Sequence, residues 1–97
     1  MPLKPAELFV LAVLRGGPLH GYGIVQEVAA RSAGRIQIRP GNLYRVLDRM
    51  LERGLIEVLK ASGDDRRTDY RITPLGRKTA QAEAKLLSLV IGDLLAT

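Results

Sequence analysis

Residues 40–53 read PGNLYRVLDRMLER, and their spacing leaves little choice of conformation. Leu43, Val46, Leu47, Met50 and Leu51 follow the i, i+3, i+4, i+7, i+8 rule, one apolar stripe of a 3.6-residue repeat. Asn42, Arg45, Arg49, Glu52 and Arg53 lie on the opposite side. Pro40 suits a first helical turn, where its missing N–H costs nothing, and Gly54 suits the residue just past the end. A helix is predicted, with one face bound for a core and an arginine-bearing face left outside.

The flanking segments supply that core. PAELFVLAVLR, from Pro5 to Arg15, is almost continuously apolar and predicts a first helix buried on most of its circumference, stopped by Gly16-Gly17-Pro18. HGYGIVQEVAARS (20–32) sets Ile24, Val25 and Val28 against Gln26, Glu27 and Arg31, a short amphipathic helix closed by Gly34. Arg35-Ile36-Gln37-Ile38-Arg39 alternates polar and apolar residues and reads as a brief strand. Beyond Gly54, Leu55–Lys60 and Asp69–Thr73 read as two strands of a hairpin around the turn cluster Ala61–Asp65. Thr73-Pro74 then opens a last helix, Thr73 as N-cap, running to about Leu95. Its stripe is read as Leu75, Thr79, Ala82, Leu86, Leu89 and Val90, widened from Leu87 on by Ile91, Leu94 and Leu95. A terminal helix apolar on two faces needs two partners, its own core and something else, for which a second subunit is the economical candidate.

Charge is unevenly placed. Residues 31–78 hold 12 Lys/Arg against 6 Asp/Glu, whereas the ends hold 3 against 4, within a net charge of +5. Arginine outnumbers lysine 11 to 4, and its planar fork suits both phosphates and base edges. A localised basic surface usually meets a polyanion, with nucleic acid the commonest candidate. A single domain of 97 residues buries only about 60–65% of its unfolded surface, so self-association is a common source of added stability. The chain has no cysteine and one histidine, which rules out disulfides and makes a metal cluster within one chain implausible. It also lacks a nucleophile–base pair and a G-x-x-x-x-G-K-[ST] loop, so neither catalysis nor a cofactor is predicted. With no stretch near about 18 apolar residues and no cleavable leader, a cytoplasmic protein without membrane contact is expected.

Helix, helix, short strand, helix, hairpin, helix is the order of a winged helix-turn-helix, mainly α with a small β-hairpin. In such proteins the second helix of the pair enters the major groove of duplex DNA. Here that helix carries Asn42, Arg45 and Arg49, while Lys60, Arg66 and Arg67 sit at the hairpin tip as a wing. The plainer alternative pairs Arg45 with Asp48 and Arg49 with Glu52 as surface salt bridges of little value. Tyr44 and Tyr70 fit equally as base readers or as packing residues whose hydroxyls reach a phosphate.

GPLHGYGI, RPGNLYRVLDRMLERGLIE and DDRRTDYRITPLG together resemble the PadR family of bacterial transcriptional regulators, from Leu8 to about Ala82. The HGY element, PG-x-LY and the R-x-x-x-Y-x-I-T-x-x-G wing exit carry the likeness. The resemblance implies a winged domain (1–73) and a dimerisation helix (74–97) in one compact unit. It further implies a homodimeric repressor, in many members released from DNA by a small aromatic or hydrophobic effector. DNA contacts carried over are Asn42, Tyr44, Arg45, Arg49, Arg66, Arg67 and Tyr70; the residues themselves add Arg39 and Lys60. Dimerisation falls to Leu75, Leu86, Leu87, Leu89, Val90, Ile91 and Leu94. Phe9, Val13, Leu86 and Val90 are the candidate effector cleft, although such residues more often form plain dimer core. Arg39 stands where relatives place a Ser or Thr cap, and Thr68-Asp69 where they place a basic-aromatic pair. With no Trp, a tryptophan-lined drug pore does not carry over. The competing reading is a winged-helix module that docks a protein and binds no specific DNA.

Within GGPLHGYG, the histidine and glycines form no phosphate loop. Gly16-Gly17-Pro18 turns the chain, His20 starts a helix as a cap or packing group, and Gly21 and Gly23 admit a close neighbour.

Overall fold

The computed structural model describes residues 3–60 and 68–96. In chain order these form α1 (Pro5–Leu14), β1 (Leu19–His20), α2 (Gly21–Arg31), α3 (Pro40–Glu52), β2 (Ile56–Lys60), β3 (Thr68–Ile72) and α4 (Pro74–Leu95). This is a winged-helix fold, and each expected helix is present: α1, α3 and α4 open at Pro5, Pro40 and Pro74, α1 and α3 end two residues before Gly16 and Gly54, and α2 ends three before Gly34.

The core gathers where the stripes meet. Val10, Leu11, Ile24, Val28, Leu47 and Met50 are wholly enclosed, bringing α1, α2 and α3 together on one apolar centre. Full burial of one such side chain contributes about 1.5–3 kcal/mol, so these few residues dominate the fold's stability. Glu7 joins them at 3% exposure, and its carboxylate accepts the Lys4 N–H at 2.8 Å, closing the start of α1.

Two strand expectations change. Residues 35–39 form no strand, although Ile36 and Ile38 do turn inward while Arg35, Gln37 and Arg39 face out. The alternation is real, but no neighbouring strand pairs with it. Instead Ser32 Oγ receives the Ile36 N–H at 2.9 Å, and the turn before it uses Ala33 and Gly34 at positive φ. The hairpin gains a third strand: β3 is central, with β2 on one side and β1 on the other. Leu19 stands opposite Tyr70, and His20 opposite Asp69. His20 therefore ends a strand and makes no side-chain cap to α2. Its ring instead fills the space of a Gly23 side chain, Cε1 lying 3.3 Å from where a Cβ would be. Gly21 meets α3 in the same way, 3.1 Å from Leu43 Cδ2.

The base of α4 is bolted to the end of α3. Thr73 caps the helix, its Oγ1 accepting the Gly76 N–H at 2.9 Å and donating to the Gly54 carbonyl at 2.6 Å. The Thr73 N–H reaches the Leu55 carbonyl at 3.1 Å. Beyond that base the expected stripe is overturned. Gly76 is buried and Thr79, Ala80 and Glu83 are half-buried, whereas Leu75, Ala82, Leu86, Leu89 and Val90 are exposed. Gly76 sits against Leu55 and Ile72, where no side chain fits, Ala80 and Glu83 lie toward α1, and the large apolar residues are turned outward. At 22 residues α4 is about 33 Å long, which accounts for the molecule's 56 × 27 × 21 Å extents.

Candidate DNA interface

Leu43, Leu47 and Met50 anchor α3, and that burial fixes which side chains it presents. Asn42, Tyr44, Arg45 and Arg49 are all exposed, as is Arg39 at the N-cap. Arg39 makes no side-chain cap, so α3 starts from Pro40 and from the Arg39 carbonyl, which accepts the Asn42 and Leu43 N–H groups at 2.8 and 3.0 Å. Among the described residues neither the Arg45–Asp48 nor the Arg49–Glu52 ion pair forms. Both guanidiniums therefore keep their donors open, in the fork geometry that matches a base edge or phosphate. No carboxylate occupies the first turn of α3. A polyanion can approach that end without a facing negative charge.

The two tyrosines separate. Tyr44 does not pack beside the apolar stripe; it is 62% exposed. Tyr70, by contrast, is only 5% exposed, held in the central strand between Leu19 and Val58. Burial pushes its phenol above the ordinary value of 10.0, and the neighbouring Tyr44 and Asp48 of α3 add to the rise. Tyr70 thus packs where β3 meets α3. On the outer sheet face Arg71 pairs with Glu57, an exposed contact of small energetic weight. Arg66, Arg67 and the turn 61–65 lie outside the described residues, as does the side chain of Lys60, whose backbone pairs with Thr68.

Two features here escaped the sequence reading. Arg35 and Gln37 join Arg39 on the exposed side of the segment leading into α3, a ladder whose signal was the alternation taken for a strand. Tyr22, in the first turn of α2, is 57% exposed. Away from this surface, a groove of about 720 Å³ runs between α1 and α4, walled by Leu8, Phe9, Ala12, Ala84, Leu86 and Leu87. Phe9 and Leu86 lie on it as expected of a cleft. Val13 does not, being 2% exposed within the core, and Val90 lies off the groove wall. Among the described residues no cluster of acidic or histidine side chains could hold a metal, and no helix is long and apolar enough to cross a membrane.

The family model of the PadR-like transcriptional regulators matches residues 10–82, from α1 through the first turns of α4. The chain belongs to the PadR family. It is a DNA-binding regulator by that membership, not an enzyme. A transcriptional regulator from Clostridium thermocellum superposes with a TM-score of 0.75 at 28% identity, covering 94% of this chain and 90% of that one. A PadR family transcription regulator from Clostridium difficile gives the same TM-score at 18% identity, covering 96% of this chain and 100% of its own, a likeness of fold. A 37.1 kDa transposon protein of Streptomyces fradiae, uncharacterized, is 34% identical over 92 residues. Those residues are 95% of this regulator but 26% of the transposon protein, so the regulator spans about a quarter of that relative.

Proposed function

We propose that this PadR-family regulator is a homodimeric, cytoplasmic repressor that reads duplex DNA in a sequence-specific way, α3 lying in the major groove. The observation that carries the reading is the open arginine face of α3, anchored from behind by Leu43, Leu47 and Met50 and bordered by the wing strands. Arg45 and Arg49 would meet guanine edges or phosphates, Asn42 an adenine, and Arg39 and Tyr44 the backbone. Lys60, Arg66 and Arg67 extend the same contacts along the wing, and the Tyr70 ring holds the wing against α3. In this scheme Leu75, Leu86, Leu87, Leu89, Val90, Ile91 and Leu94 pack against a second copy, since each stands 41% or more exposed on one subunit. A small hydrophobic or aromatic effector would enter at the α1–α4 groove beside Phe9 and Leu86, where it can alter how α4 seats.

The test is fluorescence anisotropy with a duplex selected from a random pool, set against a scrambled duplex. Tight binding to the selected duplex that falls steeply with salt is expected. Replacing Arg45 and Arg49 together by Ala should cost about 1–3 kcal/mol for each base edge they read, while leaving the oligomer intact. Equal affinity for both duplexes would overturn the reading. A monomer that shifts no DNA would instead favour a protein-docking module.

A further inference from the structure

The HGY element is accounted for at His20 and at both glycines, but not at the tyrosine. Gly21 is filled by Leu43 of α3 and Gly23 by the His20 ring, so close packing fixes the first turn of α2 on both sides of Tyr22. Tyr22 itself is 57% exposed and has no hydrogen-bond partner among the described residues. A phenol more than half exposed and without a bonding partner contributes little to the fold, although close contacts on either side fix the turn that carries it. The contact between Gly21 and Leu43 also brings the first turn of α2, which carries Tyr22, against α3 one residue from Asn42. Neither first turn bears an acidic residue, although helix starts ordinarily favour one.

We infer that Tyr22 is a further DNA-contacting residue, its hydroxyl donating to a backbone phosphate that flanks the groove occupied by α3. This rests on the DNA-binding reading above. The first helix of a helix-turn-helix pair crosses the DNA backbone, and a hydroxyl there positions the protein without reading sequence. Because the phenol is neutral, its contact releases no counterion. That separates it from the arginines.

Two substitutions test the assignment in the full chain, using the same selected and scrambled duplexes over a series of salt concentrations. Tyr22→Phe should weaken both duplexes by about threefold to tenfold, the worth of one hydrogen bond, with an unchanged salt slope. Tyr22→Arg should bind more tightly at low salt and steepen the slope by about 0.9, one additional phosphate neutralised. Melting temperatures should stay at the wild-type value in both variants, since the side chain is exposed. Wild-type protein that binds the selected duplex, with both variants matching its affinity and slope, overturns the inference and leaves the DNA-binding reading standing. Wild-type protein that binds neither duplex overturns both.

Discussion

Gly76→Ala should destabilise the regulator, although alanine is the better helix former by about 1 kcal/mol. A Cβ at this position would lie 2.1 Å from the Leu55 carbonyl oxygen and 2.9 Å from Ile72 Cγ1. Neither neighbour can simply yield. The Leu55 carbonyl accepts the Thr73 N–H, and the Leu55 N–H is tied to the Met50 carbonyl at 3.0 Å. Relief therefore requires α4 to lift by about an ångström at its base, straining the Thr73 bonds to Gly54 and Leu55. Overpacking of a dense interior costs about 1–3 kcal/mol. One or two weakened hydrogen bonds add about 1 kcal/mol each. Set against the propensity gain, the net loss is about 1–4 kcal/mol, a melting temperature at least about 4 °C lower for a chain this size. Thermal melts followed by far-ultraviolet circular dichroism read this directly, at one fixed protein concentration because self-association shifts the midpoint. Gly41→Ala is the control: nothing lies within 4 Å of its would-be Cβ, so its midpoint should hold or rise. A Gly76→Ala protein that melts at or above wild type would refute the close approach of α4 to Leu55.

Leu89 and Leu94 are 71% and 78% exposed on one subunit, so introducing Glu at both should halve the mass in light scattering while the wing domain still melts cooperatively. An unchanged mass would remove α4 from the dimer contact. Tyr70→Phe probes the raised phenol. Folding favours its neutral form, so that stabilisation is complete below the unfolded value near 10 and is lost as pH rises through the higher folded value. Wild-type protein should lose stability more steeply than Tyr70→Phe above pH about 10, and parallel alkaline losses would show the phenol is not shielded.

Sequence legibility followed the size and regularity of the signal. The stripe of α3 fixed its faces because Leu43, Leu47 and Met50 are large, evenly spaced and bounded by Pro40 and Gly54. The Thr73 cap was legible for a similar reason, since a hydroxyl before Pro74 has one local use. β1 was invisible because two residues carry no period, and its existence depends on β3, some fifty residues later. Residues 35–39 had the right period and no partner, and period alone cannot supply one. α4 misled in a different way: hydropathy weighs large side chains, so Leu86 and Leu89 outvoted Gly76 and Ala80. Close approach selects the opposite, and the true inner face was the one with the least to show. At the candidate interface the arginines were read from type and register. Tyr70 was not, because its burial is decided by strand order, which local pattern does not encode.

β1 ends at His20 and α2 begins at Gly21, with no residue between them. That junction sets a limit on how the chain can vary in length. One added residue there would either slide Leu19 and His20 out of register with Tyr70 and Asp69, or turn Gly21 and Gly23 away from Leu43 and the His20 ring. The β3–α4 junction is nearly as strict, with Thr73 alone between Ile72 and Pro74 and its hydroxyl committed in two directions. The eight-residue connection from Ser32 to Arg39 is under less constraint, since most of its side chains face solvent. Insertions and deletions should be absorbed in that connection and refused at the two junctions, whatever the inserted residue.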